Sequence, residues 1–168
     1  MATNTDTPKF CTWCGGSLEW GGPHPTCAAC GRVSYRDPKL AAAAIIPYQD
    51  GIVLLRRGIE PAYGKWSFPS GYVDRGEPVE AAVEREVLEE CGLHVSAKWL
   101  VGLYSQPGKP VVLSVWHAEV EGGHLRPREE TLDVSCFALD QMPRLAFEHD
   151  SRIIDDWLSG QKLRGVLP

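Results

Sequence analysis

The sequence predicts an α/β fold preceded by a small zinc ribbon. Four cysteines fall in two C-x-x-C pairs near the N-terminus, several apolar runs have strand length, and a glycine-rich loop leads into a helix loaded with carboxylates. With 168 residues the chain can bury roughly two-thirds of its unfolded surface, enough for one compact domain with a small attachment.

Cys11, Cys14, Cys27 and Cys30 stand in the spacing C-x2-C-x12-C-x2-C, and each pair is followed by glycine. Each pair can turn tightly and present two thiolates, and four thiolates complete a closed tetrahedral Zn2+ site. With no open coordination position the zinc is expected to be structural, stabilising a segment too short to build its own core. Buried thiols or two disulfides are the alternative, against which the paired spacing and an expected reducing compartment argue. His24 is read as a surface residue of the ribbon loop, and Trp13, Trp20 and Tyr35 are expected to cover the metal or pack on the main domain. Asp37-Pro38 marks the boundary, because a residue before proline is biased toward extended or turn conformations. The expected division is a ribbon over 1-37 and a main domain over 38-168.

The runs A-A-A-A-I-I-P-Y and G-I-V-L-L-R-R-G then read as two strands around a turn at Gln49-Asp50-Gly51. Their unbroken apolarity implies a sheet covered on both faces. Arg56 and Arg57 end the second run on opposite faces, so one of them is a candidate for a substrate phosphate or an adenine ring; Arg56 is carried forward as substrate-binding. Trp66, on the approach to the glycine-rich loop, is read as core.

Pro78 has no backbone N–H to lose at a first helical position, and Gly92 stands where a left-handed cap would fall, so a helix is predicted from about Pro78 to Cys91. Val79, Val83, Val87 and Cys91 form one apolar stripe, with Arg85, Glu86, Glu89 and Glu90 beside it. Like charges one turn apart at the edge of a buried face call for a cation. Carboxylate oxygens suit Mg2+ or Mn2+, and Mg2+ takes one or two carboxylates together with substrate phosphates and waters. A solvated acidic face with Arg85 as an intrahelical partner is the alternative.

Further strands are predicted over Ala97 to Ser105, which contains Tyr104, over Val111 to Val120 and over Leu132 to Leu139, the first two joined by a Gln106 to Pro110 connection expected near the pocket. Asp140-Gln141-Met142-Pro143 reads as a turn and Asp150 to Leu158 as a closing helix with Ile153, Ile154, Trp157 and Leu158 inward. Tyr104 and Phe147 are carried as substrate-binding candidates, with packing as the alternative for Phe147.

A net charge of −5 offers no general attraction to nucleic acid or anionic lipid. The start of the chain, M-A-T-N-T-D-T-P-K-F, has neither an apolar core nor a basic leader, and no apolar run reaches the length of a membrane span. A cytoplasmic, small-molecule role without nucleic-acid or membrane partners is expected.

The segment from Gly71 to Leu93 resembles the signature of the Nudix hydrolases at Gly71, Glu77, Arg85, Glu86, Val87, Glu89, Glu90, Gly92 and Leu93. That resemblance implies an α/β/α sandwich with a mixed β-sheet. It also implies hydrolysis of a nucleoside diphosphate linked to another moiety, by water attack on phosphorus with divalent metals bound. It assigns Mg2+ (or Mn2+) to Glu86, Glu89, Glu90 and the carbonyl of Gly71, has Arg85 orient a carboxylate and has Glu77 brace the loop. Relatives often place a further glutamate in the loop that here reads Arg126-Pro127-Arg128-Glu129-Glu130. Glu129 or Glu130 is thus the candidate water-activating base, Glu130 being carried forward, with a solvated charge run as the alternative.

The whole chain is similar to a compact zinc-ribbon group acting on ADP-ribose or flavin adenine dinucleotide (FAD), through F-C-x-W-C-G-G, the D-P-K linker, G-K-W-S-F-P-S-G-Y and C-F-A-L-D. Of the longer S-Q-P-W-P-F-P array of NADH pyrophosphatases only Ser105-Gln106-Pro107 is present. The resemblance therefore implies a Mg2+-dependent pyrophosphatase releasing AMP and a phosphorylated product, with ADP-ribose first and FAD second. An NADH pyrophosphatase and a non-catalytic nucleotide- or nucleic-acid-binding ribbon module are the alternatives. Members of the family often dimerise, so a homodimer is a further expectation.

Overall fold

In a computed structural model the chain forms two compact units, Met1–Pro38 and Lys39–Pro168. Residues 8–165 are described; residues 1–7, the greater part of the stretch read as lacking a leader, lie outside the described residues.

The first unit holds one antiparallel pair, β1 (Leu18–Glu19) and β2 (Thr26–Cys27). Its two cysteine turns are copies of one another. The Cys11 N–H donates to the Gly16 carbonyl at 2.8 Å and Gly15 N–H to the Cys11 carbonyl at 2.9 Å; Cys27 N–H donates to Arg32 at 2.8 Å and Gly31 N–H to Cys27 at 2.9 Å. Gly15 and Gly31 take φ of +72° and +70°, a left-handed conformation that explains why glycine follows each pair. The buried apolar cluster here is only Cys11, Leu18 and Cys27. That small core leaves the aromatic residues exposed: Trp13 is 71% exposed, Tyr35 68% and Trp20 46%. Trp13 carries the Arg32 guanidinium 3.9 Å from its ring centroid, and Tyr35 packs on His24.

The second unit contains β3 (Lys39–Ile45), β4 (Pro47–Tyr48), β5 (Gly51–Arg57), β6 (Trp66–Ser67), β7 (Ser70–Tyr72), α1 (Val79–Cys91), β8 (Leu93–Ser105), β9 (Val111–Gly123), β10 (Thr131–Phe137), a 3-10 turn at Leu139–Gln141 and α2 (Asp150–Leu163). One sheet runs β7-β3-β9-β8 and is mixed, with β3 parallel to β9 and its other pairs antiparallel. The other centres on β5, with β10 on one side and β4 and β6 on the other. The hairpin expected around Gln49-Asp50-Gly51 forms only in its last two residues. Pro47 and Tyr48 pair with β5, while Lys39–Ile45 belongs to the other sheet. Pro47 has no N–H for a ladder, and the chain crosses between sheets there.

Successive strand side chains point to opposite faces. Ala42, Ala44, Ile46, Val53 and Leu55 pack with Ala82, Val83, Val87 and Cys91 of α1, whereas Ala43, Ile45, Ile52 and Leu54 pack with Ile153 and Trp157 of α2. Both faces are covered, which is why these strands are apolar at nearly every position, and the result is the expected α/β/α arrangement. Pro78 is extended (φ −62°, ψ 142°), so α1 starts one residue later than predicted, and Gly92 closes it with φ +73° and an N–H to the Leu88 carbonyl. The closing helix begins at Asp150 as expected and runs on to Leu163. Among the described residues no helix is long and apolar enough to cross a membrane.

Candidate active site

Arg85 organises the acidic face of α1. Its Nε and Nη2 donate to the two oxygens of Glu77 at 2.8 and 2.9 Å, its Nη1 to Glu86 at 2.7 Å and Glu89 at 3.2 Å, and its Nη2 again to the Tyr72 carbonyl at 3.1 Å. A guanidinium has five N–H donors, and these contacts use them all. Glu77 also accepts the Asp74 N–H at 2.9 Å. The Arg85 hydrogen bonds, then the Asp74 N–H, hold the Glu77 carboxyl down at about 2. The loop over 72–77 is thereby fixed to the helix behind it.

Glu86 is mostly buried and rests on the backbone of β7: a Cβ at Gly71 would fall on its carboxyl carbon and both oxygens. Gly71 is needed here for room. Burial raises the Glu86 pKa against the opposing Arg85 bond. Glu90 turns inward to accept the Ser70 N–H at 2.7 Å. Burial lifts its pKa to about 8; the Ser70 bond and the Arg57 charge oppose the shift, and the charges of Glu86 and Glu130 add to it. Glu89 is 58% exposed. The three glutamates line one edge of the helix, but they do not gather around a single point, being drawn to Gly71, Arg85 and Ser70 respectively. The donor set nonetheless fits a hard divalent cation: it is all oxygen, Glu86 and Glu90 are desolvated, and Glu86 shares the single Arg85 charge with Glu77 and Glu89.

The four cysteines are the group among the described residues that does share one ion-sized space, with all Sγ atoms within 4.8 Å of one another. Cys11 and Cys30 are 3.9 Å apart and Cys14 and Cys27 3.5 Å. A tetrahedral Zn2+ with bonds of about 2.3 Å places its sulfurs about 3.8 Å apart, so the set fits zinc. Backbone N–H groups of the turns lower the thiols of Cys11 and, to about 7, of Cys27. Cys14, although the Gly16 N–H favours its thiolate, is pushed up to about 12 by Cys30 and Cys27. Four sulfurs held this closely can take a cation, which would favour the thiolate form at each. His24 is engaged with Tyr35 and stands outside the group.

The remaining candidates separate by face. Strand alternation puts Arg57 with Val53 and Leu55 on the α1 side, where its charge acts on Glu90. Arg56 points the other way, exposed, with Nε donating to the Gly64 carbonyl at 3.0 Å, and is not brought to the glutamates. Tyr104 is buried under α2 with its hydroxyl donating to Asp156 at 2.9 Å, and is not brought to them either. Phe147 lies with its ring centroid 5.5 Å from the Arg57 guanidinium and stacks parallel to His149. Glu130 sits within electrostatic range of Glu90 in a left-handed conformation, φ +65°, its carbonyl accepting the Gly58 N–H at 2.7 Å. Asp150 was read only as the start of α2. It is 2% exposed, accepts the Phe147 N–H at 2.9 Å, and has its pKa raised by burial.

A family model described as the NUDIX domain matches residues 38–158. The chain belongs to the Nudix family. This Nudix hydrolase is 37% identical over 128 residues to an ADP-ribose pyrophosphatase of Methanocaldococcus jannaschii, covering 74% of this chain and 75% of that one. It is 34% identical over 141 residues to the NAD-capped RNA hydrolase NudC of Stutzerimonas stutzeri, covering 82% of this chain and 50% of that protein, so it spans about half the length of the NudC relative. A crystal structure of a Nudix hydrolase from Nitrosomonas europaea matches it with a TM-score of 0.84 and 26% identity over 94% of each chain.

Proposed function

We propose that this Nudix hydrolase is a Mg2+-dependent pyrophosphatase that splits ADP-ribose into AMP and a phosphorylated sugar, with FAD as a second substrate. The observation that supports it is the row of Glu86, Glu89 and Glu90 set against Gly71 and organised by a fully engaged Arg85. Likeness to the ADP-ribose pyrophosphatase of Methanocaldococcus jannaschii supports ADP-ribose as the first substrate.

In this reading Glu86, Glu89, Glu90 and the Gly71 carbonyl hold Mg2+, which when bound supplies charge for the diphosphate oxygens and a lower pKa for the attacking water. Arg85 fixes the orientation of Glu86 and Glu89 while Glu77 fixes Arg85. Glu130, whose charge acts on Glu90 from a left-handed turn, takes the proton as water oxygen bonds to phosphorus and the bridging P–O bond breaks. The Phe147 ring is the platform for the base. The unit Met1–Pro38 serves as a structural zinc ribbon, and a cytoplasmic setting accords with four reduced cysteines and an acidic chain.

Purified protein with Mg2+ is tested against ADP-ribose, FAD and NADH. ADP-ribose is expected to show the highest kcat/KM, by about tenfold or more over NADH. A preference for NADH would favour the second reading, an NADH pyrophosphatase, which the similarity to NudC and the Ser105-Gln106-Pro107 segment support. Absence of hydrolysis of all three by folded, metal-supplied protein defeats the proposal.

A further inference from the structure

A site built from glutamates repels the diphosphate it is meant to hold, so the chain itself should supply a cation aimed at the substrate. Arg85 is not that cation, because all five of its N–H donors are committed to Glu77, Glu86, Glu89 and the Tyr72 carbonyl. Arg57 is differently placed. It is 9% exposed, it projects from β5 on the face that carries Val53 and Leu55, and among the described residues its one hydrogen bond runs from Nε to the Pro61 carbonyl at 2.8 Å. No carboxylate among the described residues comes within 4.0 Å of it, although it lies within electrostatic range of Glu90 and Asp150. Among the described residues neither Nη group has a hydrogen-bond partner, and neither is an enclosed atom left unsatisfied, so both are open to a ligand arriving from solvent beside the acidic row.

The surroundings hold Arg57 in this attitude. The Pro61 carbonyl fixes Nε, and the Gly64 N–H donates to the Arg57 carbonyl at 2.8 Å. The Phe147 ring lies against the guanidinium, and the N–H of that residue is tied to buried Asp150. A planar fork with its Nη1/Nη2 edge free, next to an aromatic ring, matches paired phosphate oxygens adjoining a base.

We propose that Arg57 is a substrate-binding residue whose two Nη groups grip the diphosphate oxygens, while Arg56, its neighbour on the opposite face, takes no part. This rests on the reading of the site as a nucleoside diphosphate pocket, but not on which diphosphate it cleaves.

The test uses ADP, which carries the diphosphate and nothing beyond it, titrated calorimetrically into the full chain with Mg2+. Arg57→Gln is expected to weaken ADP binding by about tenfold to a hundredfold, the loss expected for charge-assisted hydrogen bonds, while Arg56→Gln stays within about twofold. Arg57→Lys keeps the charge and loses the fork, and is expected to bind ADP about tenfold more weakly; it carries the test if Arg57→Gln does not fold. With whichever of the panel compounds is hydrolysed, KM should rise more than kcat falls. Wild-type ADP affinity in a folded Arg57 variant, or no ADP binding by the unaltered chain, overturns the assignment. If the unaltered chain hydrolyses none of the panel yet loses ADP affinity on Arg57→Gln, the proposed reaction fails and the role of Arg57 stands.

Discussion

Arg85 grips Glu77 with two near-parallel hydrogen bonds of 2.8 and 2.9 Å, so the guanidinium that steadies the α1 carboxylates is itself steadied by a residue of the preceding loop. Glu77 is the outer end of this chain of contacts, and Glu86 and Glu89 are the inner end.

Glu77→Gln should therefore act at a distance. It is expected to lower kcat/KM by about tenfold with little change in fold, since the planar charge-assisted pair is lost and Arg85 can swing. The carboxyl is depressed from 4.5 to about 2, so its stabilising contribution is present above pH 4.5 and is lost as pH falls through about 2. Acid unfolding followed by circular dichroism should become less steep between those values in Glu77→Gln. An unchanged acid profile together with unchanged activity would remove the brace from the account.

Gly71→Ala places a methyl group where the Glu86 carboxylate lies, and backbone cannot yield as a flexible side-chain tip can. Glu86 must move, and a displacement of about 1 Å at a reacting centre can cost about a hundredfold in rate. Turnover should fall by that order while the thermal midpoint changes little, because Gly71 stands in an edge strand. Near-normal turnover would mean that the contact between the two residues is dispensable.

The pKa of Glu90 is raised from 4.5 to about 8, chiefly by burial. In metal-free protein its neutral form is the one the fold favours, so its contribution to stability is complete below pH 4.5 and is lost as pH rises through about 8. Thermal midpoints of metal-free protein should decline over that range relative to Glu90→Gln. Mg2+ binding should strengthen over the same range and release a proton, measurable by calorimetry in buffers of different ionisation enthalpy. Mg2+ affinity independent of pH would count against Glu90 as a ligand.

Cys27→Ser removes one corner of a thiolate set whose surrounding apolar core is three residues. Zinc content should drop from one ion per chain to well below it, and protease should cut within residues 9–36. The circular dichroism of the sheets in Lys39–Pro168 should persist, since their core includes no residue of the ribbon. Full zinc occupancy in Cys27→Ser would contradict the four-cysteine site.

Much of this was legible in the chain. The unbroken apolar runs announced a sheet covered on both faces, and Gly92 marked the helix end because its φ of +73° suits glycine. Spacing alone paired the cysteines. What remained hidden depended on which face meets which helix. Arg56 and Arg57 are equivalent in sequence, and only strand alternation with Leu55 on the α1 side shows that it is the charge of Arg57 that acts on Glu90. Tyr104 was carried as substrate-binding, but its ring is buried beneath α2, with its hydroxyl donating to Asp156. The crossing at Pro47 was misread as part of one hairpin because an apolar run does not say which of two sheets it serves. The exposure of Trp13, Trp20 and Tyr35 was not legible, because a segment whose buried apolar cluster is three residues has little interior to receive them.

Ala42 and Ala44, the plainest residues of β3, set how low α1 lies over the strands. It is because the helix lies low that a glutamate on its edge can touch strand backbone at all. The gauge of the acidic row is thus cut by two methyl groups with no chemistry of their own. A bulkier pair there would lift every acid of the row together, and no rearrangement among the acids would bring them back down.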